Sequence, residues 1–230
     1  MDTLENQHHW EALTPTTKEL FKIIAELPFI HEFYLAGGTG LALHLGHRFS
    51  VDLDFFGDSA ESVNSYHRTS LIKILSNDPL FSITIDKEGT FVAAWKDVGI
   101  SFFRLDVHPQ ILPTKNVQGI RIATIEEIGA MKLAALLSRG NRKDYIDLYF
   151  ILQQTSLQRL FEIAAQKYPF NPAFPTFVVR ALSFFDDAEA DPMPKMIKSL
   201  KWETVKKFLE KQAFDLGKSI LELEKLWPEE

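Results

Sequence analysis

Residues 33–56 read FYLAGGTGLALHLGHRFSVDLDFF, and their pattern is the most informative about the architecture of the chain. The first four residues are apolar and predict a short buried strand, which a Gly37-Gly38 turn follows. Residues 39–45 are typical of a helix that ends at Gly46. Residues 51–56 alternate acidic and apolar side chains, which indicates a second strand. The stretch therefore predicts a strand, a glycine turn, a helix and a strand that carries two carboxylates.

The sequence around this stretch divides into a mixed part and a helical part. Short β-like runs occur only in the first part, at residues 81–85, 90–95 and 100–107. Helical patterns are predicted at 14–27 and 62–75, and then at 124–138, 142–154, 157–167, 176–185 and 203–226, with a loop at 186–194. We expect an α+β protein in which residues 1–122 form a small mixed β-sheet core with flanking helices. Residues 123–230 are expected to form a helical region packed on that core.

Composition excludes several classes of protein. The 230 residues are 46% hydrophobic and 24% charged, which excludes a disordered chain. A net charge of −6 excludes a broadly cationic nucleic-acid-binding surface. The absence of cysteine excludes disulfides and thiolate metal sites and favours a reducing compartment. The first residues lack the pattern of a secretory signal, and no apolar run approaches the roughly 20 residues of a membrane span. We expect a cytoplasmic protein with no membrane partner.

The chemistry of the chain is predicted to lie at the two aspartates and the two glycines of the opening stretch. Asp52 and Asp54 are two residues apart on a strand, so their side chains share one face, roughly 7 Å apart at their bases. Like charges so placed favour a divalent cation between them, and oxygen ligands suit Mg²⁺ or Mn²⁺. Gly37 and Gly38 allow backbone N–H groups at a helix N-terminus to approach an anion. Together these features describe a site for a nucleoside triphosphate and a metal ion.

This arrangement resembles the signature of nucleotidyltransferases of the DNA polymerase β type. In that signature a Gly-Gly or Gly-Ser pair is followed by two aspartates that alternate with hydrophobic residues. More narrowly, the chain resembles the AbiEii/AbiGii-type nucleotidyltransferase toxins over residues 33–152. The residues that carry this resemblance are Gly37-Gly38-Thr39, Arg48, Ser50, Asp52-Leu53-Asp54, Met131-Lys132-Leu133-Ala134-Ala135, Arg139, Lys143-Asp144 and Asp147-Leu148.

The resemblance implies a third carboxylate on a later strand, between hydrophobic neighbours. Asp106 meets this requirement because it lies between Leu105 and Val107, whereas Asp86 and Asp97 each adjoin a lysine. Asp52, Asp54 and Asp106 would then hold two metal ions, and Asp106 would also accept the proton of the attacking hydroxyl.

The resemblance also implies residues that contact the nucleotide. Gly37 and Gly38 would cradle its phosphates, and Thr39 would donate its hydroxyl to a phosphate oxygen. The alternative for Thr39 is a helix cap. Arg48 and Ser50 would hold the triphosphate, the alternative being a solvated arginine and a turn serine. The glycine at position 38 departs from the family, since many nucleotidyltransferases carry serine there.

Three residues of the helical part are further candidates. The resemblance makes Lys132 a catalytic contact to the triphosphate or the substrate, whereas a lone lysine on such a helix otherwise marks its solvated face. Asp144 and Asp147 share one helix face and are expected to bind the nucleotide or to orient Lys132 or Arg48, with a purely structural role as the alternative.

The function implied is the transfer of a nucleoside monophosphate from an NTP to a hydroxyl acceptor, with release of pyrophosphate. The chain would be the toxin of a bacterial toxin–antitoxin or phage-defence system, with the 3′ end of tRNA as acceptor and an antitoxin protein as partner. Short basic stretches at residues 139–143 and 195–207 would suit RNA. Two alternatives remain: a protein hydroxyl as acceptor, and a catalytically silent module that only binds nucleotide. The presence of the predicted carboxylates counts against the second.

Overall fold

The computed structural model describes residues 8–138, 140–169 and 174–225, and the chain forms two compact units, Met1–Ile128 and Gly129–Glu230. The division falls six residues after the boundary predicted from sequence. Residues between the two positions bond within the first unit: the Ala123 N–H donates to the Leu35 carbonyl at 2.9 Å. The buried carboxylate of Glu127 accepts hydrogen bonds from the N–H groups of Ile111 and Leu112, at 3.2 and 3.0 Å.

A seven-stranded mixed sheet forms the centre of the first unit, in the order β3-β4-β5-β2-β1-β7-β6. The strand β2 pairs in parallel with β5, and β1 pairs in parallel with β7, whereas the other neighbours are antiparallel. The strands are β1 (Tyr34–Leu35), β2 (Leu53–Gly57), β3 (Phe81–Lys87), β4 (Thr90–Trp95), β5 (Val98–Arg104), β6 (Lys115–Val117) and β7 (Ile120–Ile122).

The helices have the start and stop signals that their sequences predict. Thr14 caps the first helix by accepting from the Thr17 N–H, and Gly46 ends the second helix in the left-handed conformation. None of the described helices has both the length and the apolar character needed to cross a membrane. The helices are α1 (Pro15–Ala25), α2 (Gly37–Leu45), α3 (Ser65–Leu75), α4 (Ile125–Ser138), α5 (Arg142–Ile151), α6 (Leu157–Lys167), α7 (Phe174–Ala181), α8 (Asp186–Glu189) and α9 (Trp202–Lys225).

One face of the sheet is filled by the hydrophobic core of the first unit. Phe55 on β2 and Phe102 on β5 are fully buried, and their rings stack with centroids 4.7 Å apart. Apolar side chains of α1 and α3 complete the same core cluster. Because side chains alternate along a strand, Asp54 points to the opposite face. Core packing therefore fixes which face of the sheet carries the acidic residues.

The strand β3 lies at one end of the sheet and is exposed on both faces. Residues 82–87 are all exposed, including the apolar Ile83 and Ile85. The pairing with β4 shifts between Ile83, which faces Ala93, and Ile85, which faces Val92. Thr84 is thus an extra residue, and it forms a β-bulge in this edge strand.

The structure confirms the predicted fold class, a mixed sheet with flanking helices followed by a helical part. Three local predictions need correction. The strand β5 ends at Arg104 rather than 107, because the chain turns at 105–108 before Pro109. The hairpin of β6 and β7 was not predicted, although Gly119 marks its turn. The predicted loop at 186–194 begins with the short helix α8.

Candidate active site

Asp52 and Asp54 lie at the start of β2, where the chain returns from α2. The two carboxylates are half-buried and follow the alternation of the strand, so they share the face opposite the core. The Ala36 N–H donates to the Asp54 carbonyl at 3.0 Å, which places the N-terminus of α2 directly beside the acidic pair. The strand–glycine–helix–strand unit predicted from sequence therefore brings the diglycine and both carboxylates together.

Gly37 allows the helix to begin in contact with Asp54. Its φ of +61° lies in the left-handed region, which glycine adopts without a steric penalty. A Cβ on Gly37 would also lie 2.7 Å from Asp54 Oδ2, closer than van der Waals contact allows. The predicted glycine turn is present, and it places the N-terminus of α2 beside the carboxylate of Asp54.

Arg48 lies against the second glycine of the pair. Its side chain is buried, and a Cβ on Gly38 would lie 2.5 Å from Arg48 Nη2 and 3.2 Å from Ser50 Oγ. The other guanidinium nitrogen, Nη1, donates to the Phe49 carbonyl at 3.1 Å. The guanidinium is therefore held at the N-terminus of α2, where the helix dipole also favours an anion. The alternative of a solvated loop arginine is wrong, because only 5% of Arg48 is exposed.

Thr39 ties α2 to the segment that precedes the acidic pair. Its hydroxyl donates to the Asp52 carbonyl and lies 2.8 Å from the hydroxyl of Ser50. The alternative prediction of a helix cap is wrong, because Ala36 occupies the N-cap position and no side chain caps this helix. With 1% of Thr39 exposed, its hydroxyl is engaged within the fold.

Asp106 does not join the acidic pair, which corrects its predicted position. In the parallel pairing of β2 and β5, Asp54 faces Ser101 and Gly57 faces Arg104. The three residue-to-residue steps from Ser101 to Arg104 already span about 10 Å of strand, and Asp106 lies beyond them in a turn. Its carboxylate lies 3.9 Å from the guanidinium of Arg104. Within the part of the chain that the structure describes, no three His, Asp or Glu side chains form a potential metal site.

Lys132, Asp144 and Asp147 form a cluster within the second unit. Lys132 Nζ lies 2.5 Å from Asp144 Oδ1 and 2.7 Å from Asp147 Oδ2, and neither acid is exposed. Burial alone would lower the pKa of Lys132, but the carboxylates of Asp147 and Asp144 outweigh it and raise that pKa above its usual value. The lysine is therefore a buried ammonium ion rather than part of a solvated helix face. The predicted contact between the two acids and Lys132 is present, whereas Arg139 lies outside the described residues.

One glycine beside the acidic pair, Gly99, could not be identified from the sequence. A glycine between two predicted strands is typical of a turn, but Gly99 is the second residue of β5 and lies next to Asp52. The turn is made instead by Lys96, whose φ is +55°, and Asp97. No local pattern could reveal this contact, because it depends on the register between strands that are far apart in sequence.

Comparison with known proteins gives a family match over most of the chain. Residues 19–218 match the family described as nucleotidyl transferase AbiEii toxin, of type IV toxin–antitoxin systems. The uncharacterized protein aq_aa25 of Aquifex aeolicus (strain VF5) is 30% identical over 198 residues, which are 85% of this chain and 93% of that protein.

Two solved structures show a similar fold. A candidate nucleotidyltransferase from H. pylori superposes with a TM-score of 0.54 at 24% identity, covering 93% of this chain and 97% of the other. The nucleotidyltransferase toxin MenT4 of Mycobacterium tuberculosis H37Rv gives a TM-score of 0.60 at 15% identity, covering 88% and 83%. At these identities the two structures establish the likeness of fold.

Proposed function

Because the chain belongs to the AbiEii family of nucleotidyl transferase toxins, we propose that it moves a nucleoside monophosphate from an NTP to an RNA hydroxyl. The oxygen of the acceptor hydroxyl forms a bond to the α-phosphorus, the bond to pyrophosphate breaks, and the hydroxyl proton is released. The observation that carries this proposal is the close approach of Gly37, at the N-terminus of α2, to the carboxylate of Asp54.

Asp52 and Asp54 are the proposed ligands of a divalent cation, Mg²⁺ or Mn²⁺. Two carboxylates on one face fit such an ion, because Mg²⁺ commonly takes one or two carboxylates and completes its shell with water and substrate phosphates. When bound, the ion neutralises the negative charge of the reacting phosphates. The family resemblance implies a second ion with Asp106 as one of its ligands. Because Asp106 lies beyond Arg104, its position does not support this second ion.

The triphosphate is proposed to lie at the N-terminus of α2. Gly37 and Gly38 present backbone N–H groups there, and the buried guanidinium of Arg48 adds a positive charge held in one position. Thr39 and Ser50 support this end of the site, since their hydroxyls join the helix to the segment before Asp52. We therefore assign Thr39 and Ser50 to holding the phosphate-binding residues in place.

Lys132 is the proposed catalytic cation of the second unit, with Asp144 and Asp147 as the residues that orient it. The support is the pair of short contacts to Nζ and the raised pKa, which together keep a charged ammonium in one position. A fixed positive charge of this kind stabilises the negative charge that develops during phosphoryl transfer.

An RNA acceptor is favoured by the exposed lysines of residues 195–207. This segment has five lysines and one glutamate in a chain of net charge −6, and Lys195, Lys198, Lys201 and Lys207 are exposed. Contacts from such lysines to phosphates would make RNA binding fall steeply with salt. The 3′ end of tRNA is the proposed acceptor, and an antitoxin protein is the proposed partner of the toxin.

The test is transfer of label from each α-labelled NTP, with Mg²⁺, to total RNA and to total protein. Wild-type protein should label RNA, and Asp54→Asn should reduce labelling by about a thousandfold or more. Asp58→Asn, an exposed aspartate just after β2, serves as the matched control and should leave labelling unchanged.

Equal labelling by wild type and Asp54→Asn would overturn the proposed site. Labelling of protein alone would replace the RNA acceptor by a protein hydroxyl. Binding of NTP without any transfer would indicate the catalytically silent module.

A further inference from the structure

Gly99 lies directly under the carboxylate of Asp52. A Cβ built on Gly99 would lie 2.7 Å from Asp52 Oδ1 and 3.4 Å from its Cγ. The first of these distances is closer than carbon and oxygen atoms approach without bonding. Asp52 therefore occupies the space that any side chain at position 99 would need.

The backbone conformation at position 99 does not require a glycine. The φ of Gly99 lies outside the left-handed region, whereas those of Gly37, Gly46, Gly89 and Gly119 lie within it. The residue pairs with Ala94 in the regular ladder between β4 and β5. Glycine weakens the interior of a strand, and it often marks a place where another group approaches the backbone closely. Here that group is a carboxylate of the proposed active site.

The carboxylate is also the part of this contact that can move. The backbone of β5 is held on both sides, by parallel pairing with β2 and antiparallel pairing with β4. The Asp52 carboxylate is the end of a side chain, so an added methyl group at position 99 would displace the carboxylate before it displaced the strand. The substitution would thus alter the site while preserving the sheet.

We propose that Gly99 is a positioning residue, which sets the Asp52 carboxylate in the orientation that binds the divalent cation. This inference rests on the proposed function, since it assumes that Asp52 is a metal ligand. The space above the Gly99 Cα is occupied by the Asp52 carboxylate, on the face it shares with Asp54. Any larger residue forces the carboxylate away from that position.

The test compares Gly99→Ala with wild type in binding of Mn²⁺ alone, measured by electron paramagnetic resonance. The Kd for Mn²⁺ should rise about 10- to 100-fold, the range seen when the support of a metal ligand is removed. The melting temperature should be unchanged or higher, because alanine suits a strand better than glycine. Gly217→Ala is the matched control, since its Cβ would meet Val179 at an ordinary 3.7 Å, and it should leave the Kd unchanged.

A double-mutant comparison separates positioning from a general structural effect. In the Asp52→Asn background, Gly99→Ala should cause no further change in the Kd, because the group that it displaces no longer binds metal. If Asp52→Asn weakens Mn²⁺ binding but Gly99→Ala does not, the inference about Gly99 fails and the proposed site stands. If Gly99→Ala unfolds the protein, its role is structural and the inference also fails. If Asp52→Asn itself leaves Mn²⁺ binding intact, the proposed function fails first.

Discussion

The two units each contain a pair of aspartates close in sequence, and the pairs differ in how deeply they are buried. Asp52 and Asp54 lie two residues apart on a strand and are half-buried. Asp144 and Asp147 lie three residues apart on a helix, are fully buried and enclose the ammonium of Lys132. The buried pair thus has a cation built into the chain, whereas the half-buried pair is the one that we propose as the ligands of a divalent cation. Burial, rather than the spacing of the acids, distinguishes an internal ion pair from a candidate metal site.

The largest expected effect on stability is at the buried pair. Lys132→Met leaves two carboxylates in the interior without their lysine, and the free energy of unfolding should fall by about 3–5 kcal/mol. Urea denaturation of the variant and the wild type measures this difference.

Lys211 provides the matched control, because its Nζ also lies 2.5 Å from a carboxylate, that of Asp215, but 71% of its side chain is exposed. Lys211→Met should leave the unfolding curve close to that of wild type. If the two substitutions cost the same, burial would not be what separates the two aspartate pairs.

A smaller effect, on NTP binding, is expected in the first unit, where Arg48 lies close to Gly38. Gly38→Ala would place a methyl group 2.5 Å from Arg48 Nη2 and displace the guanidinium. The KM for NTP should rise by about tenfold with a smaller change in kcat, because a binding contact is lost in ground and transition states alike. Steady-state kinetics with varied NTP measures both constants. In an Arg48→Ala background the same change should add nothing, and a further rise in KM there would show that Arg48 is not the group displaced.

The smaller of the two effects on stability is expected at Tyr145, next to the buried acids. Its hydroxyl is buried, donates to the carbonyl of Phe184 at 2.6 Å and lies 3.1 Å from the carbonyl of Ala181. Tyr145→Phe removes this donor, so the free energy of unfolding should fall by about 1–2 kcal/mol at neutral pH.

The same substitution should change the pH dependence of stability. Burial, with smaller contributions from the charges of Asp187 and Asp144, raises the pKa of Tyr145 to about 12 from a model-peptide value of 10.0. The stabilising contribution of the neutral hydroxyl is therefore complete below pH 10 and lost as the pH rises toward 12. The difference between wild type and Tyr145→Phe should shrink over this range, with the exposed Tyr66→Phe as control. A constant difference from pH 9 to 12 would contradict the raised pKa.

Sequence alone predicted the parts of the site that depend on local geometry. The alternation of residues 51–56 placed Asp52 and Asp54 on one face, and Gly37-Gly38 marked the start of the helix beside them. The i, i+3 spacing of Asp144 and Asp147 likewise predicted a shared helix face, which both acids turn to Lys132.

The remaining features depend on strand register, which no local pattern specifies. Asp106 has the flanking residues of a metal-binding aspartate, but the pairing of Asp54 with Ser101 leaves it in the turn beyond the end of β5. The same register brings Gly99 under Asp52, although its sequence position suggested a turn. A residue that resembles a metal ligand by its neighbours in sequence can therefore lie away from the site, because the register between two strands determines its position.

The bulge at Thr84 has a consequence for the protein at high concentration. An exposed edge strand with isoleucines at 83 and 85 offers backbone groups to other chains, and an unbroken ladder of this kind can grow into amyloid-like polymers. The extra residue disrupts the regular spacing of those groups midway along the strand. A single inserted threonine thus opposes open-ended polymerisation without requiring the strand to be covered.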